Sequence, residues 1–307
     1  YEAWKAEFGV SLGDFRNALE ALENRLHETG KAWEMLPRPV LVQILSEHVD
    51  DSEEFVAAIE FLPRIGWKSI PESYTAQDRQ PWRFRRRLAV SRRPLLRLDD
   101  TPTSLIMVAP GMIRDTFVIQ LHNHHSGHYD LAAIRSSEMR AWREHIVAKN
   151  ADEFEERVAE RMRSLGWKAE KGVTFPRILG RKLPTDPGDI DVLAWHPDGR
   201  ILLLECKDLQ FAKTPSEIAK QLAKFRGKRD EKGKPDLLGK HLKRMDLAHE
   251  HAAEFQKYLK LNDIRIDGAL VFANPVPMTF AADRIGHAVT LLKFADLGAT
   301  FGEMGPQ

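Results

Sequence analysis

The stretch GDIDVLAWHPDGRILLLECK, residues 188–207, decides how the second half of this chain is read. Two short apolar runs are joined by a Pro-Asp-Gly turn, the pattern of a β-hairpin. Side chains alternate along a strand, so Glu205 and Lys207 share one face while Leu204 and Cys206 share the other. If the two runs pair, Asp191 lies beside Glu205, and two carboxylates and an ammonium converge on one surface. Such a group suits the holding of a divalent cation and the placing of a water against a phosphate. The LLLE run reads as buried on both faces. A glutamate and a lysine at its end are costly there unless they are paired or functional.

Around this hairpin the chain alternates between helix and strand patterns. Upstream, 136–165 reads as helix, either one long connector or two pieces broken near Asn150. Phe154, Val158, Met162 and Leu165 mark one face, and Gly166 is placed to stop it. Three strands are expected over about 167–207, then a helix at about 215–226, a charged region at 227–236, a helix at about 237–260 and a strand GALVFAN at 268–274 that ends at Pro275. The order α-β-β-β-α-β from 151 to 274 is an α/β layer plan. The domain boundary falls near 148–152, dividing the chain into residues 1–150 and 151–307.

Residues 151–275 resemble the PD-(D/E)xK nuclease superfamily, in the style of Holliday-junction resolvases and Mrr-like restriction endonucleases. The resemblance rests on Phe154-Glu155 opening a helix that ends in Leu-Gly-Trp at 165–167, on Gly188-Asp189-Ile190-Asp191, on Glu205-Cys206-Lys207, and on a following helix that carries Gln221. It covers about 40% of the chain. Ile190 stands where the proline of the family's name would precede Asp191. The resemblance implies a restriction-endonuclease-like core with a mixed central sheet and a metal-dependent endonuclease acting on DNA, with Mg²⁺ or Mn²⁺ as cofactor. Restriction, phage defence and repair are the contexts it suggests. By position, Asp191, Glu205 and the backbone carbonyl of Cys206 become metal ligands. Lys207 activates or orients the attacking water, Glu155 reaches in from the helix to a metal-bound water or a second metal, and Gln221 is an accessory. Asp189 shares strand parity with Asp191 and stays an alternative, as do Glu153 and Glu156 to Glu155. Cys206 is expected to face the core and be inert.

The 307 residues carry a net charge of +1, so any nucleic-acid surface must come from local clustering. Eleven basic against four acidic side chains lie between 213 and 244, a local charge of +7. Lys213, Lys220, Lys224, Arg226, Lys228 and Arg229 are therefore candidates for phosphate contact, with DNA the expected partner and RNA the alternative. Cutting both strands with one site per copy makes a homodimer or larger complex the expected assembly. One rival is a related nuclease acting on RNA or on branched or single-stranded DNA, and the rival from another class is a nucleic-acid-binding or assembly module whose nuclease fold is only structural.

A single cysteine excludes an intramolecular disulfide and a multi-cysteine zinc site, and points to a reducing cytoplasmic setting. No apolar run approaches the roughly 20 residues needed to span a bilayer, and no signal peptide is visible. The first residue is Tyr, as in a chain that has been trimmed or is a piece of something longer.

Residues 1–150 read as an α+β scaffold or specificity domain. Leu12, Phe15, Leu19, Leu22 and Leu26 recur at helical steps behind Ser11, a natural N-cap with Asp14 three residues on. Pro37 and Pro39 precede an apolar piece at 40–45, and Phe55, Ile59 and Leu62 share a face of a helix over 52–62. Strand patterns follow at 95–98, at SLIMVA (104–109) and at DTFVIQL (115–121). The tract HNHHSGH at 122–128 is expected to be a polar loop after that last strand, with zinc or nickel binding the alternative. Arg83, Arg85, Arg86, Arg87, Arg92, Arg93 and Arg97 form a second basic cluster, suited to phosphate or to the acids of 47–60. Neither basic cluster has the interleaved aromatics of a base-stacking surface.

Overall fold

The computed structural model describes residues 1–61, 93–129, 131, 134–212, 214–230, 233–282 and 289–302. Two compact units are present, Tyr1–Ala148 and Lys149–Gln307.

In the first unit, α1 (Glu2–Phe8) and α2 (Leu12–Glu28) precede β1 (Glu34–Pro37), α3 (Arg38–Leu45), α4 (Ser52–Ile59), β2 (Glu60–Phe61), β3 (Leu95–Arg97), β4 (Leu105–Val108) and α5 (Pro110–Ser126). Ser11 caps α2: its Oγ accepts from the Asp14 amide at 3.1 Å and donates to the Asp14 carboxylate at 2.6 Å. Trp4, Phe8, Phe15 and Phe55 meet edge-on or tilted in the core, with Phe15 5.1 Å from Phe55 and 5.2 Å from Trp4. The sheet runs β1-β4-β3-β2, with β2 and β3 parallel and the other pairs antiparallel. Arg38 and Arg97 both pair with Glu60, at 2.9 and 3.2 Å. Arg97 of the second basic cluster thus joins an acid of the 47–60 segment. Arg83, Arg85, Arg86, Arg87 and Arg92 lie outside the described residues, as does Leu62.

The strand expected at 115–121 is instead the middle of α5, and 122–126 of the histidine tract forms its last turns rather than a loop. Pro110 opens the helix and Gly127, left-handed at φ +68°, ends it. Its buried stripe is Ile113, Thr116, Gln120, Asn123 and His124. Three of these five are uncharged polar residues at helical spacing, so the apolar period that marks an amphipathic helix is absent from the sequence. His124 stacks on Trp142 at 4.8 Å, and burial, then His125, pulls its pKa down to about 4.

The helix expected over 136–165 is one continuous element, α6 (Ser137–Ser164). The Gly166 amide donates to the Arg163 carbonyl and the Trp167 amide to the Met162 carbonyl. With Gly166 at φ +86° this closes the helix as a Schellman motif.

The second unit continues through β5 (Lys168–Thr174), a short α7 (Phe175–Leu179), β6 (Asp189–Trp195), β7 (Arg200–Lys207), α8 (Pro215–Ala223), α9 (Leu237–Glu250), α10 (Ala252–Leu259), β8 (Arg265–Phe272), α11 (Pro277–Phe280) and β9 (Val289–Lys293). A final short helix is Leu297–Phe301. The single helix expected over 237–260 is two, separated at His251. The sheet is mixed, in the order β5-β6-β7-β8-β9: β5, β6 and β7 pair antiparallel, while β7, β8 and β9 pair parallel. This makes the second unit mixed α/β.

Both faces of the sheet are covered. Phe154, Val158 and Met162 of α6 pack on Val192, Ala194, Leu202, Leu204 and Cys206. Met245, Ala248 and Phe255 of α9 and α10 pack against Leu193, Ile201 and Leu203 on the other side. Each fully buried leucine contributes about 1.5–3 kcal/mol relative to exposure. Placing Glu205 in such a strand is therefore affordable only with partners.

Candidate functional site

The β6–β7 hairpin aligns Val192 with Leu204 and Trp195 with Ile201. The same register places Asp191 across from Glu205. Both carboxyl-bearing residues are buried, at 8% and 4% exposure. Asp191 Oδ2 accepts the Cys206 amide at 2.8 Å, so the carboxylate takes a main-chain donor of the neighbouring strand.

Lys207 closes the group. Its Nζ lies 3.2 Å from Asp191 Oδ2, 2.7 Å from Glu205 Oε1 and 2.9 Å from the Cys206 carbonyl oxygen. One ammonium thus stands where three oxygens from two adjacent strands converge. Burial works against its charge, but Glu205 and Asp191 together hold its pKa above the ordinary value. Burial first, and then Glu205, push the Asp191 carboxyl up against the pull of Lys207. Burial, with Asp191 and Glu155 adding to it, raises the Cys206 thiol well above its usual range, which leaves it an inert core group.

Two further residues come from α9. Arg244 pairs through a terminal guanidinium nitrogen with Glu205 Oε2, and its Nε donates to the Pro187 carbonyl at 3.0 Å. His241 Nδ1 lies 3.8 Å from the same Glu205 oxygen. Burial, then Arg244, lowers the His241 pKa to about 4, so the imidazole is neutral near pH 7. Glycines permit this approach. Gly188 sits at φ +78°, and a Cβ there would stand 3.3 Å from an Arg244 nitrogen. A Cβ at Gly268 would stand 2.6 Å from Met245 Sδ and 3.0 Å from His241 Nε2. Reading the sequence counted Arg244 only among the basic residues of 213–244 and passed over His241. The available signal was a histidine inside the apolar stripe Leu238, His241, Met245, Ala248.

Of the three glutamates competing on α6, Glu155 is the one whose carboxyl feels the charges of Asp191 and Lys207. Burial first, then Asp191 and Asp189, raise its pKa to about 7. Glu156 pairs instead with Arg163 at 3.0 Å, and Glu153 lies 3.6 Å from Lys149. Asp189 is exposed at the start of β6, whereas Asp191 is buried against Lys207. Gln221 is not joined to this group by any hydrogen bond of its amide nitrogen, which donates to the Gln210 carbonyl at 2.6 Å.

The Glu155 shift has a consequence for stability. Its carboxyl holds a proton more tightly in the fold than at the ordinary value of 4.5. Native protein therefore binds more protons than unfolded chain between those values, and raising the pH through that window costs stability. In metal-free buffer, Glu155→Gln is expected to gain on wild type in thermal unfolding as pH rises from about 5 to about 8. A variant tracking wild type across that range would place the shifted carboxyl elsewhere.

Lys220, Lys224, Arg226, Lys228 and Arg229 are all exposed on α8 and the segment after it. Asp236 organises that segment. Its carboxylate accepts the amides of Arg226, Lys228 and Gly239, capping α9 with the last of these. Lys213 lies outside the described residues.

Among the described residues no three His, Cys, Asp or Glu side chains gather as a metal-binding group, the histidine tract included. Nor is any helix among them long and apolar enough to cross a membrane.

Residues 1–293 match the family described as anti-phage protein Upx-like, and the chain belongs to that family. No curated protein and no solved structure matches it.

Proposed function

We propose that this anti-phage protein acts as a metal-dependent endonuclease that hydrolyses DNA phosphodiester bonds, through a PD-(D/E)xK-like site in residues 149–307. The observation that carries this reading is the convergence of Asp191, Glu205 and the Cys206 carbonyl on one point, with Lys207 Nζ standing there. An ExK tripeptide alone is common on strand ends. Here the glutamate of the tripeptide is buried, and a second acid from the neighbouring strand joins it at one point, a grouping of oxygen donors and an ammonium that phosphodiester hydrolysis makes use of.

The donor set fits a hard divalent ion. Two carboxylates and a main-chain carbonyl are all oxygen donors, and Mg²⁺ keeps several waters of its own. Mg²⁺ or Mn²⁺ would be held by Asp191, Glu205 and the Cys206 carbonyl, with Glu155 on the helix side. Bound there, the ion supplies a more acidic water and a polarised phosphoryl oxygen. The residues divide the remaining work. Lys207 brings positive charge beside the phosphate and orients a water. Arg244 fixes one oxygen of Glu205 and leaves the other facing Lys207. Glu155 can hold or release a proton near neutral pH. The exposed lysines and arginines of 220–229 supply phosphate contacts that track the backbone. Residues 1–148 serve as scaffold or specificity element, and two copies place one site on each strand.

Cleavage of plasmid, linear duplex, single-stranded DNA and RNA, with Mg²⁺, Mn²⁺ or EDTA, tests this for wild type and Asp191→Ala. The expected result is metal-dependent cutting of DNA that disappears in the variant, together with loss of protection against phage in cells. Cutting that survives Asp191→Ala would remove the site from the reaction. Metal binding without cleavage of any substrate would favour a binding module.

A further inference from the structure

We infer that the surface built by the β7 exit, α8 and α11 is a stacking platform for unpaired bases, so that the nucleic acid handled here presents single-stranded segments. This deepens the phosphodiesterase reading and rests on it for the identity of the partner as nucleic acid.

Three large apolar side chains stand out in water. Phe280 is 85% exposed, Phe211 51% and Ile218 38%. Phe280 ends α11, Phe211 follows β7, and Ile218 lies on α8. The backbone beneath them is anchored. Met278, two residues before Phe280, is buried with Phe225, Leu270 and Phe272. Leu209, two residues before Phe211, packs on the same cluster, as does Leu222 of α8, four residues after Ile218. α11 packs against α8. Gln221 of α8 donates to the Gln210 carbonyl at 2.6 Å, and Asn274 donates to Asp208 Oδ1 at 3.1 Å and to the Leu209 carbonyl at 3.2 Å. The two rings thus sit on a fixed support, each presented just beyond a residue held in the core.

Position and charge indicate what covers them. β7 and β8 are parallel, so their exits lie at one end of the sheet, the end that carries Glu205 and Lys207. Phe211 is four residues beyond Lys207, which bounds their Cα separation at about 14 Å. Lys220 on α8, Lys224 at its C-cap and Lys228 just beyond are exposed around the same elements. Aromatic faces beside a line of ammonium groups are how single strands are held: rings stack on bases, and cations follow the phosphates. A duplex keeps its bases stacked on each other and needs only the cations. The basic segment itself offers no such ring, because Phe225 is buried. The exposed aromatics come from outside it in sequence, on segments that the fold joins to α8.

The test is fluorescence anisotropy of the full chain in EDTA, with labelled single strands of DNA and of RNA and with duplex DNA. Tighter binding of single strands than of duplex is expected. Phe280→Ala and Phe211→Ala should each weaken single-strand binding about tenfold, with duplex binding and the salt dependence unchanged, and Phe280→Trp should restore it. Lys224→Ala should instead weaken all substrates and lower the salt slope by about one. The DNA and RNA arms identify which strand is preferred. Ring variants that bind single strands like wild type, equal binding of duplex, absence of nucleic-acid binding, or a changed oligomeric state in Phe280→Ala would each overturn the platform. Ring-dependent binding with no cleavage would leave the platform standing and remove the nuclease reading. Cleavage with ring-independent binding would do the reverse.

Discussion

Replacing Lys207 with methionine is expected to cut cleavage at least about a hundredfold and to make the stability of residues 149–307 respond to a divalent cation. Lys207 Nζ is shared by Asp191 and Glu205, which are almost entirely removed from water. Without it, the two facing carboxylates keep the Arg244 contact and the more distant His241 ring on one oxygen of Glu205, and the Cys206 amide on Asp191. Breaking a buried ion pair from one side costs about 3–5 kcal/mol. For a unit of this size that is a fall of roughly 10 °C in the unfolding midpoint. A divalent ion held by the same oxygens would offset the loss, so Mg²⁺ or Ca²⁺ should raise the midpoint of the variant more than that of wild type. Cleavage should drop by at least about a hundredfold even with saturating metal, because the charge beside the phosphate is gone. Differential scanning calorimetry in EDTA and in Ca²⁺, with a cleavage assay in Mg²⁺, reads both effects. A variant that melts like wild type and ignores the cation would mean that Lys207 is a surface lysine of no consequence. Lys207→Arg keeps the charge and should keep most of the stability, which separates charge loss from misfolding.

Gly199→Ala is expected to be the most damaging single-methyl addition in the second unit. Gly199 ends the turn between β6 and β7 at φ +93°, and a Cβ there would stand 2.0 Å from the main-chain oxygen of Asp263. Its own carbonyl accepts the Arg265 amide at 3.0 Å, and its amide donates to the His196 carbonyl at 3.1 Å. The obstacle is backbone, which cannot turn aside as a flexible side chain would. Relief requires parting the hairpin turn from the loop that starts β8, where the parallel pairing of Arg200 with Arg265 begins. A loss above about 3 kcal/mol is expected. Gly180→Ala is the matched control. Gly180 is also left-handed, at φ +68°, but nothing lies within 4 Å of its Cβ position. Only the conformational penalty of about 1–2 kcal/mol applies there. Equal losses in the two variants, measured by urea unfolding, would show that the close approach of Gly199 to Asp263 does not matter.

Where local chemistry is strong, the linear chain already announces the structure. Ser11 with Asp14 marks the start of α2, because a cap is satisfied within three residues. Gly166 marks the end of α6, because a left-handed stop is a property of one residue. The runs at 189–195 and 200–207 declare a hairpin, and strand parity alone puts Glu205 and Lys207 on one face. These features depend on contacts between residues adjacent in the chain or joined by a short turn.

What the chain does not announce depends on partners far away in sequence. α5 buries Thr116, Gln120 and Asn123 on its inner face, and its apolar period is lost as a result. β9 is a short edge strand whose place comes from pairing with β8. His241 and Arg244 belong to the site only because Gly188 and Gly268 let α9 come close, and Glu155 is distinguished from Glu153 and Glu156 only by the rotation of α6 on the sheet. Phe211 and Phe280 are nearly 70 residues apart, and their elements come together at α8 through the packing of α11 on α8 and the Gln221–Gln210 hydrogen bond. By itself the sequence determined which residue types could hold a cation and that two strands would bring them together, since period and turn chemistry act over a few residues. Tertiary structure alone decided which helices supply the remaining groups, how each charge is buried and paired, and which rings stay in water, since burial and electrostatics sum over every element that packs around a point.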